Sequence, residues 1–206
     1  MNIEGSSNRR GIKFLLHFTR VENVRSILRN GLLPKSHFAQ RSIEAVINDE
    51  LRLDGFAEAT CLSIGFPNYK MFYSIRQRDR SVQWAILAIN PSVLWTKDCA
   101  FCVENAASGS VTSIPIGARK TLAAFEKMFN DIPGKPTREA LKISDGTPTN
   151  PQAEVLVFDP IDPELIVGIA FNRANLVEMY KAEAGGRVVK LIPGLFGPRV
   201  DFSHWK

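Results

Sequence analysis

The chain is poorest in metal-binding chemistry: its 206 residues include three histidines and three cysteines. His17, His37 and His204 are far apart in sequence, and no H-E-x-x-H pair occurs, so a three-histidine metal site has no support. Cys99 and Cys102 have a zinc-like spacing but no second pair follows, and a structural zinc takes four ligands. Positions three apart on a strand face opposite ways, so both cysteines read as structural. An odd cysteine count without a signal peptide argues against a disulfide framework. There is also no P-loop, no G-x-G-x-x-G after a strand and no G-x-S-x-G. No apolar run reaches the length of a membrane span, and the polar start MNIEGSSNRRG lacks a signal core. The default expectation is a cytoplasmic protein.

What is present is ordinary globular composition, 45% apolar and 23% charged, with net charge +5. That excess permits a polyanionic partner without requiring one. Two basic clusters, Arg9/Arg10/Lys13 and Arg76/Arg78/Arg80, fit either a solvated surface or a polyanion's footprint.

Periodicity predicts strands over 12–19, 59–64, 82–89, 99–103, 154–159, 164–171 and 188–192. Helices are predicted over 21–30, 42–51, 69–76, 117–129 and 172–184, with Asn30-Gly31 stopping the first. Residues 131–152, rich in Pro, Gly, Thr and Asp, form a long connection, of the kind more often functional or mobile than passive. The implied fold is α+β, one domain over 1–206 built on a mostly antiparallel sheet with flanking helices, preceded by a flexible N-terminal arm over 1–11.

Four features remain. His17 and Thr19 share a strand face, with Asn23 in the next turn of helix. Gln40-Arg41-Ser42-Ile43 leads into a helix that ends near Arg52. Met71 and Tyr73 follow a turn. Glu154 puts a carboxylate at the mouth of the apolar run Val155–Phe158, a costly place unless it is paired or used.

In this order and spacing, His17-x-Thr19-x3-Asn23, Ile27-Leu28-Arg29-x-Gly31, Gln40-Arg41-Ser42-Ile43 with Arg52, Met71-x-Tyr73 and Gln152-Ala153-Glu154 resemble the DarT-type DNA ADP-ribosyltransferases, toxins of toxin–antitoxin pairs. The likeness runs from about Lys13 to Gly168. It implies an ADP-ribosyltransferase-like split sheet that cradles NAD, used as co-substrate with no metal. Glu154 and Arg52 fall on the catalytic positions. His17, Phe18, Thr19, Asn23, Arg41, Met71 and Tyr73 fall on NAD-binding ones, and Met71 and Tyr73 are expected to form an apolar wall by the nicotinamide. Expected partners are single-stranded DNA and a macrodomain-type antitoxin. Two stretches depart from the family pattern. Cys102-Val-Glu-Asn105-Ala-Ala replaces a Thr-Asp-x-His-like stretch, and Gly-Phe-Pro-Asn-Tyr-Lys replaces an Asn-Pro-Arg-like turn before Met71. Thymine is the expected target base and guanine the second, with Asn105, Arg76 and Arg78 on the DNA side.

The chemistry suits these residues. Loss of nicotinamide builds positive charge at the anomeric carbon, which a carboxylate on the ribose 2′-hydroxyl stabilises as it grows. Arg52 stays protonated and so serves to orient or stabilise a deprotonated base, leaving Glu154 to take the proton. The rival readings are an NAD-using transferase acting on RNA or protein, and a non-catalytic nucleic-acid-binding domain on the same scaffold.

Overall fold

The computed structural model describes residues 1–38 and 55–205. The expected helix over 42–51, with Arg41 and Arg52, lies outside the described residues.

Seven strands form one sheet: β1 (Leu15–Arg20), β2 (Thr60–Ile64), β3 (Trp84–Ile89), β4 (Cys99–Cys102), β5 (Glu154–Val157), β6 (Ile166–Phe171) and β7 (Val188–Leu191), in the order β4-β5-β2-β1-β3-β6-β7. Every pairing is antiparallel except β6 with β7. The sheet is split near its middle. β1 pairs with β3 along its whole length, from Leu15↔Ile89 to Arg20↔Trp84. Its pairing with β2 is confined to Leu15↔Ile64 and Leu16↔Ser63.

Helices cover both faces. On one face α2 (Val21–Asn30) and α9 (Ala174–Lys181) pack Val24, Leu176 and Tyr180 against Leu87 and Phe171. Beside them Phe125 and Met128 pack on Phe101, Val155 and Val157. On the other face α3 (Tyr69–Arg78) packs Phe72 and Ile75 on Leu16, Trp84 and Ile86. Strand alternation distributes the side chains: Val155 and Val157 serve the first face, Leu156 the second. The two β4 cysteines divide in the expected way, Cys99 into the first cluster and Cys102 into the second. Burial pushes the Cys99 thiol up to about 12, so it stays protonated.

α2 ends where Asn30-Gly31 predicts. Gly31 has φ 83° and ψ 176°, and a Cβ there would lie 2.4 Å from the Ile161 carbonyl oxygen, so only glycine fits.

Three expectations change. The first eleven residues are not a flexible arm. Residues Ile3–Arg9 form helix α1, capped by Asn2 Oδ1 on Gly5 N at 2.9 Å. Ser6, Arg9 and Arg10 converge on Glu126, and Arg10 lies over the Phe129 ring. Burial raises the Glu126 pKa, but the hydrogen bonds from Arg10 and Ser6 outweigh it and the net direction is down. Arg9 and Arg10 therefore share one carboxylate, which anchors both side chains and offsets one of their two charges. Second, the helix predicted over 117–129 is broken into α6 (Ile116–Arg119) and α7 (Leu122–Lys127), because the Thr121 side chain caps Ala124 N. Short helices α4 (Val93–Thr96) and α5 (Gly109–Thr112) precede them, and α8 (Arg138–Leu141) follows. Third, the 131–152 connection is pinned. Arg138 donates to Thr147 O and Thr149 Oγ1, and the buried Arg199 donates to Pro148 O and Thr149 O.

Arg199 in turn pairs with Asp201, which also accepts from Trp205 Nε1 at 2.7 Å. Burial pushes the Asp201 pKa up, but the hydrogen bonds from Arg199 and Trp205 win and leave it below the usual carboxylate range. A depressed folded-state pKa gives stability that is present above the unfolded pKa and lost as pH falls through the folded one. Asp201→Asn leaves Arg199 buried without its counter-charge, and is expected to lower unfolding stability by about 3–5 kcal/mol. Urea titration at neutral and acid pH checks this, and the gap between the two proteins should narrow as pH falls.

Candidate active site

Glu154 opens β5 and is 5% exposed. By strand alternation it shares the α3 face with Leu156, and its partner in register is Cys102 of β4. A buried carboxylate is tolerable only when donors hold it. Asn68 Nδ2 donates to Glu154 Oε1 at 3.1 Å, and the backbone N–H of Ala106 donates to Oε2 at 2.9 Å.

Each donor is itself held in place. Asn68 is 1% exposed and caps α3, its Oδ1 accepting from Met71 N at 3.2 Å. Its own N–H donates to Ser63 Oγ at 3.1 Å, on the strand next to β5. The helix cap therefore fixes the side-chain amide whose other end meets Glu154. Ala106 sits in a turn drawn by Asn105, whose Oδ1 accepts from Ala107 N and whose carbonyl accepts from Ser108 N, each at 2.9 Å.

The second group of polar residues stands where the sheet splits. His17 Nδ1 lies 2.9 Å from the Cys61 carbonyl, reaching from β1 to β2 beyond their last paired residues. A carbonyl only accepts, so Nδ1 carries the proton. Thr19 and Asn23 are buried, and Asn23 Nδ2 donates to Thr19 Oγ1 at 3.1 Å, joining β1 to the first turn of α2. Cys61 pairs with Leu156, two residues along β5 from Glu154. The His17 and Glu154 groups are thus tied to the same strand pair, β2 and β5.

The remaining sequence candidates fare differently. Phe18 stacks on Phe72, ring centroids 4.6 Å apart, within the α3 core cluster. Met71 packs against that cluster, whereas Tyr73 is 59% exposed. Residues two apart on a helix stand about 200° around its axis, so the two do not form one apolar wall. Arg76 is no exposed phosphate contact. Its guanidinium lies over the Phe72 ring at 4.5 Å and donates to the Phe196 carbonyl, and burial lowers its pKa. Arg78 and Arg80 are exposed, with Arg80 donating to Gln77 Oε1. Arg41 and Arg52 lie outside the described residues.

Sequence reasoning missed Asn68, Ser63 and the Ala106 N–H. Asn68 read as part of a Gly-Phe-Pro-Asn turn, and its fit as an N-cap before Tyr69 is the signal that was there to find. A backbone donor such as Ala106 N leaves no mark in composition.

A split, mostly antiparallel sheet with a buried carboxylate beginning a strand beside the split defines an ADP-ribosyltransferase-type fold. The family model described as "ssDNA thymidine ADP-ribosyltransferase, DarT" matches residues 16–192, and the chain belongs to that family. No curated protein matches the sequence. Among solved structures, Thermosipho africanus DarTG in complex with ADP-ribose superposes with a TM-score of 0.62 at 19% identity, over 89% of this chain and 51% of that one. This chain thus spans about half the length of that relative. DarT from Thermus sp. 2.9 in complex with carba-NAD+ gives 0.61 at 15% identity, covering 90% and 98%. The same protein in complex with ADP-ribosylated ssDNA gives 0.58 at 16% identity, covering 91% and 97%. At these identities the superpositions establish the fold.

Asn68 performs two tasks that a substitution can separate. Asn68→Ser keeps a capping oxygen for α3 and loses the amide that reaches Glu154. It is expected to keep α3 capped and the protein folded, to lower the melting temperature by roughly 3–10 °C because a buried carboxylate loses one donor, and to lower transferase turnover about ten- to a hundredfold, the worth of one hydrogen bond to a charged group. Steady-state kinetics with NAD varied, alongside a thermal melt, checks the split.

Proposed function

We propose that this chain uses NAD to place ADP-ribose on a base of single-stranded DNA, thymine first and guanine second, with release of nicotinamide, and that Glu154 is the group on which the reaction turns. The observation that supports this reading is a carboxylate buried beside the sheet split, held in one orientation by Asn68 and Ala106.

The nicotinamide–ribose bond breaks with the electron pair leaving on nicotinamide, so positive charge grows at the anomeric carbon. A carboxylate receiving the ribose 2′-hydroxyl hydrogen bond gains attraction as that charge develops, which lowers the barrier rather than merely tightening binding. Fixed donors mean little reorganisation is needed at the moment of transfer. His17, Thr19 and Asn23 supply donors and acceptors of the kind that ribose hydroxyls and an amide require, at the place where β1 and β2 part. The base nitrogen then bonds to the anomeric carbon and gives up its proton, with Glu154 as acceptor. Arg52 orients the base, since a guanidinium cannot accept a proton at neutral pH.

The target atom of a paired base is shielded inside the duplex, which favours single-stranded substrate. Exposed Arg78 and Arg80 suit its phosphates. Family membership also suggests a toxin, countered by a macrodomain-type hydrolase that removes the modification. Among the described residues no helix is long and apolar enough to cross a membrane, which accords with a cytoplasmic enzyme.

Incubation with NAD and short oligonucleotides, followed by mass spectrometry, is expected to show one added ADP-ribosyl group on single-stranded DNA and little on the duplex. Glu154→Gln and Arg52→Ala should each reduce that product about a hundred- to a thousandfold. Adduct on RNA or protein but on no DNA would replace this reading, and full activity in Glu154→Gln would remove the assignment of that residue.

A further inference from the structure

A cavity of about 230 Å³ lies along the outer edge of β4, beneath α5, α6 and α7. Its walls are largely apolar and include Val111, Ile114 and Ala124. Two of its lining residues are cations, Arg119 and Lys127, and none is a carboxylate. Arg119 is 4% exposed, and among the described residues no acid pairs with it. Its guanidinium meets the Phe56 ring at 5.2 Å and the Cys102 sulfur at 3.9 Å, and its Nε is buried without a partner. A buried guanidinium with so little compensation is costly, and a ligand that brings acceptors would relieve it.

The place of the cavity narrows the ligand. Cys102, which contacts Arg119, is the register partner of Glu154. Neighbouring strands stand about 4.8 Å apart, so the cavity sits roughly one side chain to the side of the carboxylate. Its occupant needs a flat apolar body for the walls and adjacent acceptor atoms for a donor-only fork, close to a phosphate for Lys127. A nucleobase in a strand meets all three demands.

We propose that this cavity seats the base next to the one modified, and that Arg119 makes it selective for a base with two adjacent acceptors. Guanine offers N7 and O6 on one edge, and cytosine N3 and O2. Adenine pairs each edge acceptor with a donor, and thymine separates its two carbonyls by an N–H, so both are disfavoured. The proposal rests on DNA as the substrate and adds a sequence context to it.

The test is a set of single-stranded oligonucleotides with one target base and each flanking position permuted, read as kcat/KM. Wild-type protein should favour guanine or cytosine at one flank by about tenfold. Arg119→Met should bring that ratio close to one. Ile114→Trp, which fills the cavity while keeping the guanidinium, should do the same and decides the matter if Arg119→Met does not fold. Equal kcat/KM for every flank in the wild type, or a preference kept in the variants that fold, overturns the cavity assignment alone. Absence of transfer to every oligonucleotide by the wild type would instead sink the DNA reading beneath it.

Discussion

One carboxylate organises this protein. Glu154 stands at the start of a strand whose next three residues are fully buried, in a medium that penalises an unpaired charge heavily. Among the described residues, donors from two distant parts of the chain hold it, the Asn68 amide and the Ala106 backbone. Each depends on further structure: a helix cap and a serine on β2 for Asn68, an asparagine turn for Ala106. Much of the architecture on that face of the sheet can be read as the support of one side chain.

The split in the sheet is the complementary constraint. β1 is fully paired on its β3 side and almost unpaired on its β2 side. Unpaired strand backbone needs other partners, and His17 gives one to the Cys61 carbonyl. Polar groups at the split thus hold the parted strands together. The same economy governs the basic residues. Arg9, Arg10, Arg76, Arg138 and Arg199 all have hydrogen-bond partners within the protein, so their positions are set by the fold.

The family-wide resemblance and the geometry meet at Glu154 and diverge around it. The stretch from Cys102 to Ala107, which departs from the family pattern, supplies both the Ala106 donor and the sulfur against which Arg119 lies. Variation there alters what surrounds the carboxylate while leaving the carboxylate itself in place.

The residues alone determined the strands of the central sheet, the stop at Gly31, the division of Cys99 and Cys102 between faces, and the oddity of Glu154. These follow from local rules: alternation, glycine's reach into positive φ, and the cost of a carboxylate in an apolar run. The pattern also made Asn105 and the His17–Thr19–Asn23 set stand out. It misread the first eleven residues as an arm because their partner, Glu126, is more than a hundred positions away. Met71 and Tyr73 were grouped through the resemblance, although residues two apart on the helix predicted over 69–76 stand about 200° around its axis. Only the tertiary structure decided that Asn68 belongs to Glu154, 86 positions distant, and that Arg119 is buried with no acid beside it among the described residues. Long-range pairing is set by how strands and helices stack, and no window of sequence contains that information.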